Sequence, residues 1–327
     1  MAARIRLIDI AAACGVSKAA VVQALNRPPE TCELRAATRT RIRAAATRLG
    51  YRPDWRARAL ASGRTSTVGL LYAGMYPPMG GYPARLMGAI ARRLAERGIG
   101  LLLLRCWETS TWREAVDERR IDGAVVLDGP PAGLLEAGPL PVPLVLANIA
   151  TPMAVPQVLP DDHGGALLAV RRLVALGHRR IVHLTGEHRS DHISAQARHD
   201  GYRAAMAEAG LPARIVDRLS ALEAQLDGRS PPSAVYAYDD TLAIQTIRLA
   251  QRRGLRVPQD LAVIGTNDGP EAATCSPALA SVALPGDPLA FAAADLLLDL
   301  IAGAEAPGAP VLLPETLVER VSLGPPG

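Results

Sequence analysis

Phenylalanine occurs once in the 327-residue sequence, and aromatic residues make up only 3% of it. With hydrophobic content at 49%, the cores must be built from Leu, Val, Ile and Ala. Cysteine is scarce too. Cys14, Cys32, Cys106 and Cys275 are scattered without the CxxC spacing of a zinc site or redox pair, so they read as reduced thiols, with Cys14 packing in a helix. No apolar run approaches the ~20 residues that a membrane span needs. No apolar segment follows Arg4 and Arg6 before Asp9, so no signal peptide is expected and the predicted location is cytoplasmic. No ordered Ser-His-Asp set, phosphate-cradling glycine loop or paired-carboxylate motif stands out, which predicts neither an enzyme nor a cofactor. All six histidines (His163, His178, His183, His188, His192, His199) fall between 163 and 199. His188 and His192 are spaced i,i+4, but GEHRSDH does not read as a helix and no cysteine is near, so no metal site is expected.

Charge is unevenly distributed. Residues 1–66 hold 13 Arg and Lys against 4 Asp and Glu, and the remainder holds 23 against 28. A basic head on an acidic body is the pattern of a polyanion-binding module joined to a regulatory or catalytic body. Within the head, LIDIAAACGVSKAAVVQALN (7–26) reads as two short helices around a turn. Ile8, Ile10, Ala11 and Ala12 are expected to give the first helix a buried face, and Val21, Val22 and Leu25 the second. Gly15 supplies the turn's backbone freedom, and the Ser17 hydroxyl suits an N-cap. Such a pair is either a helix-turn-helix that sets its second helix in a DNA groove or an ordinary helical hairpin. A third helix is predicted over 35–49, with Ile42, Ala45, Ala46 and Leu49 inward and Gly50 as its stop. The basic segment DWRARALASGRTS reads as a linker.

From Thr67 the pattern becomes alternating strand and helix. Strands are predicted over 67–73, 101–106, 123–128 and 143–148, with a crossing strand near 156–159. The alternation restarts with strands over 180–186, 235–238 and 261–268, one near 279–284 and a last one near 316–322. Helices are expected over 83–97, 163–176, 194–209, 240–253 and 287–302. Continuous apolar strands separated by helices predict an α/β protein with parallel sheets covered on both faces. Two successive sets predict two lobes with a cleft at the carboxyl ends of their strands.

Five blocks, in one order, resemble the lactose-repressor/galactose-repressor (LacI/GalR) family of transcriptional regulators. They are IDIAAACGVSKAAVVQALN; TRTRIRAAATRLGYRPDWRARALASGRTSTVGLL; DDHGGALLAVRRLVALGHRRIVHLTG with ARHDGYRAAMAEAGL; AYDDTLAIQTIRLAQRRGLRVPQDLAVIGTND; and PALASVALP. The resemblance implies a three-helix DNA-binding head over 1–52, a hinge over 53–66, and a two-lobed periplasmic-binding-protein-like domain over 67–327. It places Ser17, Lys18, Ala19, Gln23, Asn26, Tyr51, Ala57 and Leu60 at DNA-contact positions, with Leu60 as a wedge into the minor groove. Lys18 can reach phosphate or a guanine edge, and Gln23 an adenine edge. The reading helix departs from the family's VSxxTVSRVLN at Ala20, Val22 and Gln23, which removes a guanine-reading arginine. The loop over 27–34 is longer than usual, and Arg35 stands where a capping serine is usual, so the third helix should start less crisply. His178 falls in the family's Leu-Gly-His turn and reads as structural.

The resemblance also implies a small effector, such as a sugar, in the cleft. Tyr82, Asn148, Arg198, Asp239 and Asn267 match ligand positions, and Trp107 can stack on a ring. Each has a plainer role open to it: Asp239 or Asp240 can cap a helix, Asn267 can hold a turn, and Trp107 can pack. Residues 104–122 are short for the family, so a full second helix in the first lobe is in doubt. Partners implied are a pseudo-palindromic double-stranded operator, the effector and a second copy of the chain. With no leucine heptads after Leu323, a homodimer rather than a tetramer is expected. A solute-binding protein of the same two-lobed architecture is the alternative.

Overall fold

The computed structural model describes residues 5–27, 29–52, 54, 59–60, 62–72, 81–106, 111–127, 129, 134, 140–152, 154–187 and 193–327. The chain forms two compact units, Met1–Thr65 and Ser66–Gly327.

The first unit holds α1 (Leu7–Cys14), α2 (Lys18–Asn26) and α3 (Ala36–Arg48), with a 3₁₀ turn at Pro29–Thr31 inside the long loop. The Asp9 carboxylate accepts the Arg6 amide at 2.7 Å and so closes the start of α1. Gly15, left-handed at φ 60°, ends α1 and turns the chain. The Ser17 hydroxyl then accepts the Ala20 amide at 3.1 Å and starts α2. Arg35 precedes α3 without a side-chain cap. Ile10, Val21, Ala24 and Ile42 are fully buried where the three helices meet. Full burial of an Ile or Val is worth about 1.5–3 kcal/mol, so this small core carries the unit. The expected inner face of α1 is corrected here: Ile8 is 56% exposed and Ala12 lies outside, while Cys14 takes an inner place. The third helix crosses the α1–α2 pair on one side only, so two of the four apolar positions face out.

The second unit contains two six-stranded sheets. The first lobe has strand order β11-β5-β4-β3-β1-β2, where β1 is Thr67–Tyr72, β2 Gly100–Arg105, β3 Gly123–Leu127, β4 Leu144–Ala147, β5 Gln157–Pro160 and β11 Val311–Leu313. The second has order β12-β10-β9-β8-β6-β7, where β6 is Ile181–Leu184, β7 Arg214–Val216, β8 Ala234–Ala237, β9 Ala262–Thr266, β10 Ala280–Ala283 and β12 Thr316–Val318. All pairings are parallel except that of β12 with β10. The last strand stops at Val318 rather than near 322.

Eight helices cover these sheets among the described residues: α4 (Gly81–Glu96), α5 (Thr111–Asp117), α6 (Asp162–Ala175), α7 (Ile193–Glu208), α8 (Leu219–Leu226), α9 (Asp240–Arg252), α10 (Pro270–Thr274) and α11 (Gly286–Ala302). The strands β1, β3, β4, β6, β8 and β9 are buried almost throughout, which explains their unbroken apolar runs. The second helix of the first lobe, α5, has only seven residues, as the shortened 104–122 region suggested. Gly201 of α7 lies against the His163 carbonyl of α6, and a Cβ there would leave no room for that close crossing. His178 is fully buried, 3.0 Å from the Ser233 hydroxyl and 2.8 Å from the Gly324 carbonyl, a structural tie at the end of the lobe. His188 and His192 lie outside the described residues. No single described helix is long and apolar enough to cross a membrane.

The chain passes between the lobes three times: from β5 to α6, from β10 to α11, and from β11 to β12. These crossings put Asp162 and Glu315 beside each other at the base of the cleft.

Candidate functional site

The first unit presents a polar face along α2. Lys18 and Ala19 are exposed in its first turn, Asn26 is exposed at its end, and Gln23 is half-buried between them. Lys18 is the only lysine in the sequence. Gln23 Nε2 donates to the Glu33 carboxylate at 3.4 Å, so the longer loop reaches the reading helix. Arg6, Lys18, Tyr51 and Arg52 line a hollow of about 440 Å³ between the start of α1 and the start of α2. Asp54 lines it as well, and three cations against one carboxylate leave a net positive charge that suits a phosphate group. Arg6 and Arg52 were not singled out in the sequence, where nothing marked them among thirteen cations. Two other arginines hold structure instead. Arg41 donates to the Cys14 carbonyl at 3.3 Å and Arg43 to the Ala24 carbonyl at 2.9 Å, one near the end of each helix of the pair. Leu60 is helical and 90% exposed. Ala57 lies outside the described residues.

The second unit has a cavity of about 320 Å³ between its lobes. Tyr82 and Asn148 line it from the first lobe, and Arg198, Asp239 and Asn267 from the second. Trp107 lies outside the described residues. Local geometry explains how each side chain is delivered. Tyr82 stands on the first turn of α4, and its hydroxyl is buried with no hydrogen-bond partner among the described residues; burial drives its pKa upward. Asn148 and Asn267 follow strands β4 and β9 at φ 58° and 108°. Positive φ is tolerated by Asn better than by most residues and turns each chain sharply at the cleft. Asp239 caps α9 by accepting the Leu242 amide at 2.8 Å, so the capping role and a place in the cavity coincide. Its neighbour Asp240 accepts from the Ser281 hydroxyl at 2.5 Å and from the Gly269 amide at 2.8 Å. Burial pushes Asp240 up to about 6. The lobes also meet directly, since Arg85 of α4 donates to the Asn267 carbonyl at 2.7 Å.

Arg198 is 3% exposed and already committed. Its Nε and Nη2 donate to Asp162 Oδ1 at 2.8 and 2.7 Å, its Nη1 to the Tyr238 carbonyl at 2.6 Å, and its guanidinium lies 4.6 Å from the Tyr238 ring centre. Below it, both Glu315 oxygens are buried without a donor, and the side chain lies within hydrogen-bonding reach of Asp162. A carboxyl buried beside another carboxylate favours its protonated form. Burial, then the Asp162 charge, push Glu315 up to about 9. Behind this cluster His183 is fully buried and neutral, held near 3 by burial, with Nδ1 2.9 Å from the Tyr236 carbonyl.

Ser194, Thr241 and Glu271 also line the cavity and were missed. Ser194 was recoverable, since it sits one helical turn before Arg198, and its hydroxyl is 2.6 Å from that of Tyr238. Asp162 and Glu315 carry no local signal, because only the crossings bring them together.

Two family descriptions match the chain. "Bacterial regulatory proteins, lacI family" covers residues 6–54, and "Periplasmic binding protein-like domain" covers residues 170–323. The HTH-type transcriptional regulator MalR of Streptomyces coelicolor is 32% identical over 98% of both chains. The HTH-type transcriptional regulator CelR of Thermobifida fusca is 30% identical, over 90% of this chain and 91% of its own. Among solved structures, the transcriptional regulator CelR–cellobiose complex has a TM-score of 0.65 at 28% identity, over 98% of this chain and 100% of that one. The lac repressor dimer bound to operator and the anti-inducer ONPF shares the fold, with a TM-score of 0.77 at 24% identity over 98% and 100% of the two chains. With an exposed helix-turn-helix face, a two-lobed body and relatives alike over nearly their whole length, the chain belongs to the lacI family of bacterial regulatory proteins and is a DNA-binding transcriptional regulator.

Proposed function

We propose that the protein is a repressor, without enzymatic activity, whose affinity for a pseudo-palindromic operator is set by a sugar-like effector held between the lobes. The observation that carries this is the cavity: polar side chains from both lobes converge on it in a chain that also has a helix-turn-helix head. A ligand that touches both lobes favours one lobe arrangement, and by linkage it changes DNA affinity as much as DNA changes its own. Cellobiose in a solved relative, and the name of the ribose operon repressor of Escherichia coli, support a saccharide.

In this reading residues 1–52 are the DNA-binding head, 53–66 the hinge and 67–327 the effector and dimerisation body. Ala19 and Gln23 face base edges, Lys18 reaches phosphate or a guanine edge and Ser17 its flanking phosphate, while Asn26 and Tyr51 steady the head on the backbone. Leu60, exposed as it is, wedges the operator centre beside Ala57. Two heads are needed, since one short half-site gives too little specificity, so the working unit is a homodimer acting in the cytoplasm. The test is binding to DNA selected from a random library. The reading expects a palindromic consensus, an affinity that falls steeply with salt, and loss of binding on deletion of residues 1–62. Selection of no consensus, or binding that survives the deletion, would overturn it.

A further inference from the structure

The cleft's charge balance names its ligand more closely. Among the described residues, Arg198 is the one cation that lines it, and Asp239 and Glu271 line it with carboxylates. Arg85 stands nearby but commits its guanidinium to the main-chain oxygens of Asn267 (2.7 Å) and Asp268 (3.3 Å). Arg198 is bonded to Asp162 through two of its nitrogens and to the Tyr238 carbonyl through the third. We propose that the cleft selects an uncharged, polyhydroxylated ligand and rejects the phosphorylated or carboxylated form of the same compound, because Asp162 has already neutralised Arg198, the one cation among the described lining residues.

This rests on the saccharide reading above and sharpens it. A guanidinium has five N–H donors, and three of them are used here, which leaves two for ligand hydroxyls. An anion on those two N–H groups would meet a guanidinium whose charge Asp162 already balances, and could gain that charge only by stranding the Asp162 carboxylate, which is 7% exposed. It would also face the Asp239 and Glu271 side chains that line the cavity. The other polar lining groups, Asn148, Ser194, Thr241 and Asn267 with Tyr82 and Tyr238, are neutral donors and acceptors, the kind that hydroxyls satisfy. Glu315 acts from behind as a positioning residue. As a neutral acid it leaves the Asp162 charge to Arg198, and Gly165 makes the space, since a Cβ there would overlap the Glu315 carboxyl.

The experiment measures binding of cellobiose, glucose and ribose to the full-length protein at pH 7. Each is set against its charged counterparts: cellobionate, glucose 6-phosphate, glucuronate and ribose 5-phosphate. At least one neutral sugar should bind, with its charged counterpart at least tenfold weaker. A charged form that binds as well as or better than its neutral parent would overturn the proposal and leave the saccharide reading standing. Binding of none would sink both. Asp162→Asn should free Arg198 and shift the ratio at least tenfold toward the charged form. If that variant does not fold, the exposed Glu271→Gln should shift the ratio in the same direction. No shift in either variant would refute the charge argument.

Discussion

Glu315→Gln isolates the least expected feature of the molecule. Both Glu315 oxygens are buried without a donor, the residue is 8% exposed, and burial with the Asp162 charge pushes it up to about 9. In the unfolded chain the same carboxyl titrates near 4.3. Between pH 5 and 8 the unfolded chain has therefore lost a proton that the folded chain keeps. Stability from this group is fully present below the unfolded value and is lost as pH rises toward the folded one. The slope for one proton is about 1.4 kcal/mol per pH unit, so the loss from pH 5 to pH 8 is about 4 kcal/mol. Glutamine keeps the shape, never ionises and can donate an amide hydrogen to Asp162, so it removes the slope. Urea unfolding of both proteins at each pH unit from 5 to 8 checks this, because every other titrating group cancels in the difference. Wild type should lose stability relative to Glu315→Gln by about 1.4 kcal/mol per unit. A flat difference would show that Glu315 is ionised in the folded protein.

Other outcomes bear on the head. Leu60→Ala should weaken operator binding by at least tenfold and leave binding to random DNA almost unchanged, because a wedge acts only where the helix bends; equal losses in a competition assay would remove the wedge. Gln23→Arg should move base preference toward guanine at one symmetric pair of positions, since a bidentate contact is worth about 1–3 kcal/mol of discrimination; an unaltered consensus from repeated selection would take Gln23 off the reading surface. Lys18 is the only lysine, so acylation of side-chain amines reports on one site. Mass spectrometry should show that site protected by operator DNA and not by effector, and full labelling on DNA would contradict its place at the interface.

Much of the architecture was legible because it is periodic. Buried parallel strands such as Gly123–Leu127 write themselves as unbroken apolar runs, and Ser17 and Gly15 mark the turn by their capping chemistry. The short elements were not foreseen: β7, α8, α10 and β11 hold three to eight residues each, too few for a period to emerge. Ile8 misled because a helix that meets its neighbours along one narrow stripe can leave an isoleucine outside. In the cleft, Tyr82, Asn148, Arg198, Asp239 and Asn267 were found by resemblance and converge on one cavity. What resemblance could not supply was their state. Arg198 looked like a free fork for a ligand, but its partner lies 36 residues earlier. Glu315 lies farther still from Asp162 in sequence, and the two meet because separate crossings between the lobes converge.

The central claim is that one molecule couples a saccharide in the cleft to DNA on the head. Fluorescence anisotropy of a selected operator, titrated with protein in the presence and absence of the neutral sugar that binds, tests it directly. The account predicts a change in operator affinity of at least fivefold, with sugar affinity changed by the same factor when operator is bound. Identical operator affinity with and without saturating sugar would contradict it.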